Sequence, residues 1–447
     1  MLKFCINSQT PPVRFNMDYS RMNYANINNF IEGKDYIFSP GGVTRMVYPF
    51  ILKCLKNKLI DKPHWISLNP LAPSIVDFNG IILHSVKMEQ SSLKGYGYTK
   101  EMIWKILHGM EDPKEIFWED EFADYIYYNR KSSLLMQKLD KEFDFDIFYI
   151  HDFQQLPIGS MIKTLKPKIF RWHIPFNENF IPQSWKDLLL VYFNSYDAII
   201  VSSDKFKENL IKIGYKGKVF KIYPYIDLSS YKVPNKSIIN DFYNKFNISK
   251  DDKIILNVAR MDPIKRQDII IKAVAKLIKK FKNLKLILVG NGSFSSSKQG
   301  IGLNKAEAWA NYLRSLIKEY DLERNVVLTG HLSEEYLHAA YYISDLMVLS
   351  SFTEGFGLVV IESWIYKKPV IVSSGVGVAE LVDGQNGFLF DPLNMEDLSS
   401  KIEMILTNEK LALEMGLNGY ETAKKCSLEE GYKKELEVLK SVLGETI

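Results

Sequence analysis

A chain of 447 residues exceeds what one ordinary core can organise and implies two domains of roughly 200 residues each. Its 46% apolar and 25% charged content is that of a soluble globular protein. The net charge is +4 without a dense Arg/Lys arm, zinc spacing or RNA-binding signature, so no nucleic-acid partner is expected; the isolated Cys5, Cys54 and Cys426 argue against a disulfide framework and fit a reducing compartment.

The chain opens on a short apolar run that soon turns polar, a first strand at Lys3–Asn7. It is too short for a signal-peptide core or a membrane span, so the cytoplasm is the expected compartment. Short apolar runs then alternate with amphipathic stretches, the pattern of α/β layering around parallel strands. Strands are expected at His64–Leu68, Ile81–Val86, Ile147–His151, Ile169–Ile174, Ala198–Ser202 and Val219–Tyr223, with a long helix, Asp120–Glu142, as the crossover before Ile147. Gly41-Gly42 precedes a helical run from about Val43 to Lys58 and is either an ordinary turn or a loop open to phosphate. In that run Lys53, Lys56, Lys58 and Lys62 alternate with Leu52, Leu55 and Leu59. They form either a weak peripheral contact with anionic lipid or the solvated side of a core-packed helix.

Pro224, Asp227 and Pro234 interrupt both periodicities and mark a domain boundary. A helical stretch, Ile238–Phe246, leads into a second set of strands at Ile254–Val258, Leu284–Val289, Val326–Thr329, Leu346–Leu349, Val370–Val372 and Phe388–Phe390. Helices at about 266–281, 305–320, 333–343, 358–367 and 395–407 separate them. Leu436, Leu439 and Leu443 give the tail helical spacing. The expected organisation is a first domain at 1–230, a second at 231–425 and a terminal helix at 426–447. The fold class is α/β with two doubly wound, Rossmann-like domains, whose ligands belong at the carboxyl ends of the strands.

The most informative stretch runs from Ser350 to Glu362. Gly355-Phe356-Gly357 is the turn between a buried strand and a helix starting at Leu358, so backbone N–H groups can approach a ligand at a helix N-terminus. Glu354 and Glu362, with seven residues between them, lie about two helical turns apart and can point into one cleft. One carboxylate suits sugar hydroxyls and the other a ribose diol, which makes this a site for a nucleotide sugar. Arg260 and Lys265 follow the strand Ile254–Val258; they are either solvated loop charges or the fork and ammonium that hold a diphosphate. Gly290-Asn291-Gly292 lacks the third glycine and the acidic partner of a dinucleotide fingerprint, which argues against NAD. The Ser- and Gly-rich segment Phe294–Leu303 extends this turn as a loop. His173 is either a satisfied core residue or a cleft residue, and Asp152 ends the preceding strand. No cluster has metal-ligand spacing and no Asp-x-Asp loop is present, so no catalytic metal and no cofactor are expected.

The E-x7-E spacing of Glu354 and Glu362 comes in order with Gly41-Gly42-Val43, His173, Arg260, Lys265 and Asp383-Gly384-x-x-Gly387-Phe388. Across most of the chain this resembles the family 4 retaining glycosyltransferases of the GT-B fold. The resemblance implies two domains facing across a cleft, with the last helix crossing back to the first. It implies that Arg260 and Lys265 contact the donor diphosphate, Glu354 the transferred sugar and Glu362 the ribose, and that His173 approaches the anomeric centre. Gly41, Gly42, Gly290, His331, Leu332, Gly355, Phe356, Gly357 and Leu358 would complete the donor site, and Asp152, Gln154 and His173 would meet the acceptor. Attack from the front face, with the leaving phosphate oxygen taking the acceptor proton, would need no side-chain base.

Ile147–Pro157 together with Arg171-Trp172-His173-Ile174 is similar to the trehalose glycosyltransferring synthases within that family, which join an activated glucose to free glucose. The chain departs from them at Pro175-Phe176-Asn177 and in the Ser-rich insertion. The implied activity is transfer of a hexose, glucose, from a nucleoside-diphosphate sugar to a hydroxyl acceptor, with glucose as acceptor giving trehalose. The alternatives are a membrane-face enzyme extending a lipid-linked or protein-linked glycan, and a nucleotide-sugar epimerase or non-transferring binder.

Overall fold

The computed structural model of the protein describes residues 1–39, 41–111, 117, 119–291 and 301–444, with only the backbone of 301–304. Glycine 292 and most of the Ser-rich segment at 294–303 lie outside the described residues. The chain divides into two compact units, Met1–Ile226 with Leu428–Ile447, and Asp227–Ser427. The boundaries fall at Ile226/Asp227 and Ser427/Leu428, against the expected 230/231 and 425/426.

The first unit carries strands β1 (Phe4–Asn7), β2 (Val13–Phe15), β3 (Tyr24–Asn26), β4 (Tyr36–Phe38), β5 (His64–Leu68), β6 (Ile75–Phe78), β7 (Ile81–Val86), β8 (Ile147–His151), β9 (Lys168–Arg171), β10 (Ala198–Val201) and β11 (Lys218–Lys221). Its helices are α1 (Gly42–Lys56), α2 (Gln90–Leu107), α3 (Asp120–Phe143), α4 (Ile158–Met161), α5 (Gln183–Phe193) and α6 (Asp204–Lys212). Nine strands form one sheet in the order β11-β10-β9-β8-β1-β5-β7-β6-β3, parallel except for the β6–β7 pair, while β2 and β4 form a separate antiparallel ribbon. Alternate residues of a strand point to opposite faces, and both faces here are buried. Cys5, Ile66, Phe148, Ile150 and Phe170 belong to one core, and Phe4, Ile6, Trp65, Ile147 and Ile169 to the other. That is why these strands read as unbroken apolar runs.

The second unit holds α7 (Lys236–Lys245), β12 (Lys253–Val258), α8 (Gln267–Leu277), β13 (Leu284–Val289), α9 (Ile301–Glu319), β14 (Val326–Gly330), α10 (Glu334–Ile343), β15 (Leu346–Leu349), α11 (Leu358–Ile365), β16 (Val370–Ser373), β17 (Gly387–Phe390), α12 (Met395–Thr407) and α13 (Glu409–Ala423). Its six strands are all parallel, in the order β14-β13-β12-β15-β16-β17. Numbered within the unit this is 3-2-1-4-5-6, the doubly wound order whose direction of winding reverses between its first and fourth strands. The final helix, α14 (Leu428–Leu443), belongs to the first unit, where Val438 and Leu439 enter the core behind β1 and β5.

Several expectations need correction. The strand expected at Ile169–Ile174 stops at Arg171, so His173 stands beyond its end. Pro175 lacks the N–H that a longer ladder would need, and it holds Ile174 extended rather than helical. No helix is expected from the sequence where α2 runs unbroken through Gly95 and Gly97; its first half is rich in serine, lysine and glycine, and its apolar spacing is clear only at Met102, Ile103, Ile106 and Leu107. Leu52, Leu55 and Leu59 pack against the first unit's core, and Lys53 pairs with Glu429 and lies 5.3 Å from the Tyr432 ring centroid. This is the geometry of a core-packed helix with a solvated side. Lys56, Lys58 and Lys62 remain exposed. Among the described residues no helix is long and apolar enough to cross a membrane.

Candidate functional site

The winding of the second sheet reverses between β12 and β15, and the loops leaving those two strands carry the candidate residues. After β12 the chain passes Arg260 and enters a single 3-10 turn, Pro263–Lys265, capped by Asp262, whose carboxylate accepts from the Ile264 N–H at 3.1 Å. Asp262 is buried and also pairs with Lys305 at 3.1 Å. This fixes Lys265, which is 8% exposed. After β15, the Ser350 hydroxyl donates to the Lys265 carbonyl at 2.7 Å, and the Phe352 N–H to the Ile264 carbonyl at 2.7 Å. The two loops are thereby tied together.

The result is an ion pair between Lys265 Nζ and Glu354 Oε2 at 3.0 Å. The same oxygen accepts from the Ser351 hydroxyl at 3.0 Å. Glu354 is half-buried, and its Oε1 has no hydrogen-bond partner among the described residues, leaving a lone-pair face for a ligand hydroxyl. Past Glu354, α11 begins with Gly357 as a cap that brings no side chain to the first N–H groups. Those donors and the helix dipole favour an anion. Only glycine fits there: its φ is +111°, and an added Cβ would lie 2.7 Å from a Leu349 methyl. Gly355 and Phe356 are buried, and the segment after β16 closes over them through Gly377 N–H to Glu354 carbonyl at 3.2 Å and Val378 N–H to Phe356 carbonyl at 2.9 Å. Leu358 opens the helix and is half-buried.

Glu362 is on α11 and 1% exposed. Tyr341 donates to its Oε2 at 2.6 Å and Tyr231 to its Oε1 at 2.9 Å. Gly290 follows β13 with φ +138°, where a Cβ would meet the Ala259 carbonyl at 2.0 Å. Its N–H donates to the Gly330 carbonyl at 3.0 Å, which sets the exposed His331 and the buried Leu332 beside this turn. Arg260 is half-buried, and its carbonyl accepts from Gln267 Nε2 at 2.8 Å.

The remaining candidates lie in the first unit. Gly41 caps α1 and Gly42 is its first residue; neither has a positive φ or a crowded Cβ, so local geometry does not demand glycine at either. Asp152 follows β8 with φ 73° and is 6% exposed. Burial pushes its carboxyl up to about 7, against the opposing hydrogen bonds from the Phe153 and His173 N–H groups and the Gln154 side chain. The His173 N–H donates to Asp152 Oδ1 at 3.2 Å, and His173 Nε2 lies 3.2 Å from His151 Nδ1. Burial holds both imidazoles well below their usual range, with the Arg171 charge a smaller cause in each, so both are neutral at neutral pH. A neutral imidazole can hydrogen-bond a sugar hydroxyl without bringing a charge.

The fold thus brings Lys265, Glu354 and the α11 N-terminus together in the second unit, and Asp152, Gln154 and His173 together in the first. Sequence reasoning missed Ser351, Asp262, Tyr231 and Tyr341. Asp262-Pro263 was a legible cap signal, whereas nothing local marks the two tyrosines.

Residues 239–422 match the family described as Glycosyl transferases group 1, and residues 85–208 match Trehalose synthase, N-terminal domain. The trehalose synthase of Thermococcus litoralis is 29% identical over 321 residues, covering 71% of this chain and 74% of that protein. A poly(ribitol-phosphate) alpha-N-acetylglucosaminyltransferase of Staphylococcus aureus is also 29% identical, over 48% of this chain and 41% of its own length. Among solved structures, the trehalose-6-phosphate synthase OtsA superposes with a TM-score of 0.76 at 15% identity over 98% of this chain and 99% of that one. The sucrose-phosphate synthase of Thermosynechococcus elongatus gives 0.73 at 16% identity over all of both chains, and Anabaena HepE, in complex with UDP and glucose, gives 0.69 at 17%, covering 99% of this chain and 100% of that one. Together with the two α/β units, these matches define the class: a glycosyltransferase of the GT-B fold. Within that class the chain joins a group 1 glycosyltransferase domain to an N-terminal domain of the trehalose-synthase type.

Proposed function

We propose that the protein transfers glucose from a nucleoside-diphosphate sugar to a hydroxyl of free glucose, with retention at the anomeric carbon, giving trehalose. The observation that carries the donor half is the Lys265–Glu354 pair at the winding reversal, beside the uncapped start of α11. The acceptor half is supported by the match of residues 85–208 and by the trehalose synthase relatives.

In this reading Lys265, Arg260 and the α11 amides stabilise the charge that develops on the diphosphate as the bond from C1 to the phosphate oxygen breaks. That oxygen takes the proton of the acceptor hydroxyl as the new bond from C1 to oxygen forms on the same face. Glu354 holds hydroxyls of the transferred sugar, Glu362 the ribose, and Gly290, His331 and Leu332 the base side. Asp152, Gln154 and neutral His173 orient the acceptor. In this reading no metal or cofactor takes part, and EDTA is expected to leave turnover unchanged. Three buried cysteines that form no disulfide fit a reducing, cytoplasmic setting, and the packing of Leu52, Leu55 and Leu59 supports a core-packed rather than a lipid-facing helix.

The test is incubation with UDP-, ADP- and GDP-glucose, with and without glucose, following nucleotide release and the anomeric protons of the product. Glucose-dependent release with an α,α-linked product is expected. Release that ignores glucose, conversion of the donor alone, or an inverted linkage would overturn the reading.

A further inference from the structure

Glu362 lies in an aromatic box of the second unit. Its carboxylate is 1% exposed, and each oxygen accepts a tyrosine hydroxyl, Oε1 from Tyr231 and Oε2 from Tyr341. The two tyrosines are held very differently. Tyr341 sits on α10 with 0% exposure, its ring stacked 6.0 Å from Tyr366 at 6°. Tyr231 is half-buried on an irregular segment between the 3-10 turn Leu228–Ser230 and α7, its ring lying 5.1 Å from His338 at 29°.

A buried carboxylate needs donors, and these phenols supply them when no ligand is present. A ribose diol brings two hydroxyl donors of the same kind. With so little of Glu362 exposed, such a diol can reach Oε1 only where a present donor leaves. Both rings are packed, Tyr231 stacking on His338 and meeting Tyr366 edge-on at 6.4 Å, but Tyr341 is fixed in a helix whereas Tyr231 stands outside any helix or strand. We propose that Tyr231 is a built-in competitor for the nucleotide, its hydroxyl standing on Glu362 where a ribose hydroxyl will stand and turning away as the nucleotide arrives. The proposal rests on the reading of Glu362 as the ribose anchor. Its consequence is a lowered affinity for any ribonucleotide, because part of each binding event is spent breaking the Tyr231–Glu362 bond.

Tyr231→Phe removes the hydroxyl and leaves the ring on His338. Titration calorimetry of UDP, ADP and GDP into the wild-type protein and this variant tests the idea. The variant is expected to bind the best of the three about three- to tenfold more tightly, the equivalent of one modest hydrogen bond. The 2′,3′-dideoxy form of that nucleotide and inorganic pyrophosphate should show no such gain. Saturable wild-type binding with equal or weaker binding by Tyr231→Phe overturns the Tyr231 proposal alone. So does a gain of the same size with pyrophosphate. If none of the three nucleotides binds the wild-type protein, the ribose reading of Glu362 falls and takes this proposal with it.

Discussion

Arg171 and Glu435 form an ion pair in which both side chains are 2% exposed, although 264 residues separate them. Arg171 leads from β9 toward His173, and Glu435 comes from α14. The Tyr149 hydroxyl donates to Glu435 Oε2 at 2.9 Å and the Tyr225 hydroxyl to Oε1 at 3.1 Å, while Arg171 Nη2 donates to the Ile222 carbonyl at 3.1 Å. Every charge-bearing group is thus satisfied, and the last helix is pinned beneath the strands that lead to Asp152 and His173.

Removing one partner of such a pair strands the other as a buried charge. Glu435→Ala should lower stability by about 3–5 kcal/mol, whereas Arg171→Met with Glu435→Leu should lose much less than either single change. Urea unfolding of Glu435→Ala, Arg171→Met and the double variant checks the order. If the double variant were the least stable, the pair would be a net source of stability rather than a matched liability.

Lys265→Ala and Glu354→Gln should each cut turnover by about a hundred- to a thousandfold, the usual effect of deleting a group that meets transition-state charge or holds the reacting sugar. Because Lys265 is buried and paired with Glu354, melting is followed for both variants, and the loss of turnover should persist well below their melting temperatures. Steady-state kinetics with saturating donor separates lost chemistry from lost binding.

Asp152 titrates at about 7 in the folded protein against about 3.9 in an unfolded chain, because burial disfavours its charged form. The folded state therefore holds its proton more tightly, and the stability this contributes is present at acid pH and lost as pH rises from about 4 through 7. Asp152→Asn, which tolerates the same positive φ, should be more stable than the wild-type protein at pH 8 and level with it near pH 4. If Asp152 meets the acceptor, the variant's KM for glucose should rise while the donor KM holds.

His64 and His84 lie stacked with ring centroids 5.0 Å apart, joined at 2.9 Å between Nδ1 and Nε2 and covered by Phe143 and Phe145. Burial lowers His64 to about 4 and His84 to about 3, with His64 a smaller cause for the latter. Unfolded imidazoles bind protons near 6.5, so their contribution is complete above that pH and is lost as pH falls through about 4. Stability should decline below pH 6.5 with a slope of up to about 1.4 kcal/mol per pH unit for each ring. Denaturation at pH 7.5, 5.5 and 4.5 measures this slope, which His64→Gln with His84→Gln should flatten.

Much of the second unit was legible from its residues. Strands such as Leu284–Val289 are buried on both faces and therefore show as continuous apolar runs, and α12 was placed at 395–407, its observed bounds. The first unit was harder to read. Three-residue strands such as β2, β3 and β4 leave no periodicity to detect, and α2 dilutes its apolar face with serine, lysine and glycine. The glycine-flanked turn before α11 was visible because only Gly357 fits its backbone. The engagement of Glu362 by Tyr231 and Tyr341 was not.

Local order along the chain sufficed for the α/β class and for the types of residue that gather at strand ends, since periodicity and turn chemistry are short-range. Which strand lies beside which, and hence that the loop after β12 meets the loop after β15, came from packing alone. So did the burial that raises Asp152, silences His151 and His173 and joins Arg171 to Glu435. Desolvation and ion pairing depend on neighbours brought from far along the chain, and no local pattern encodes which of them will arrive.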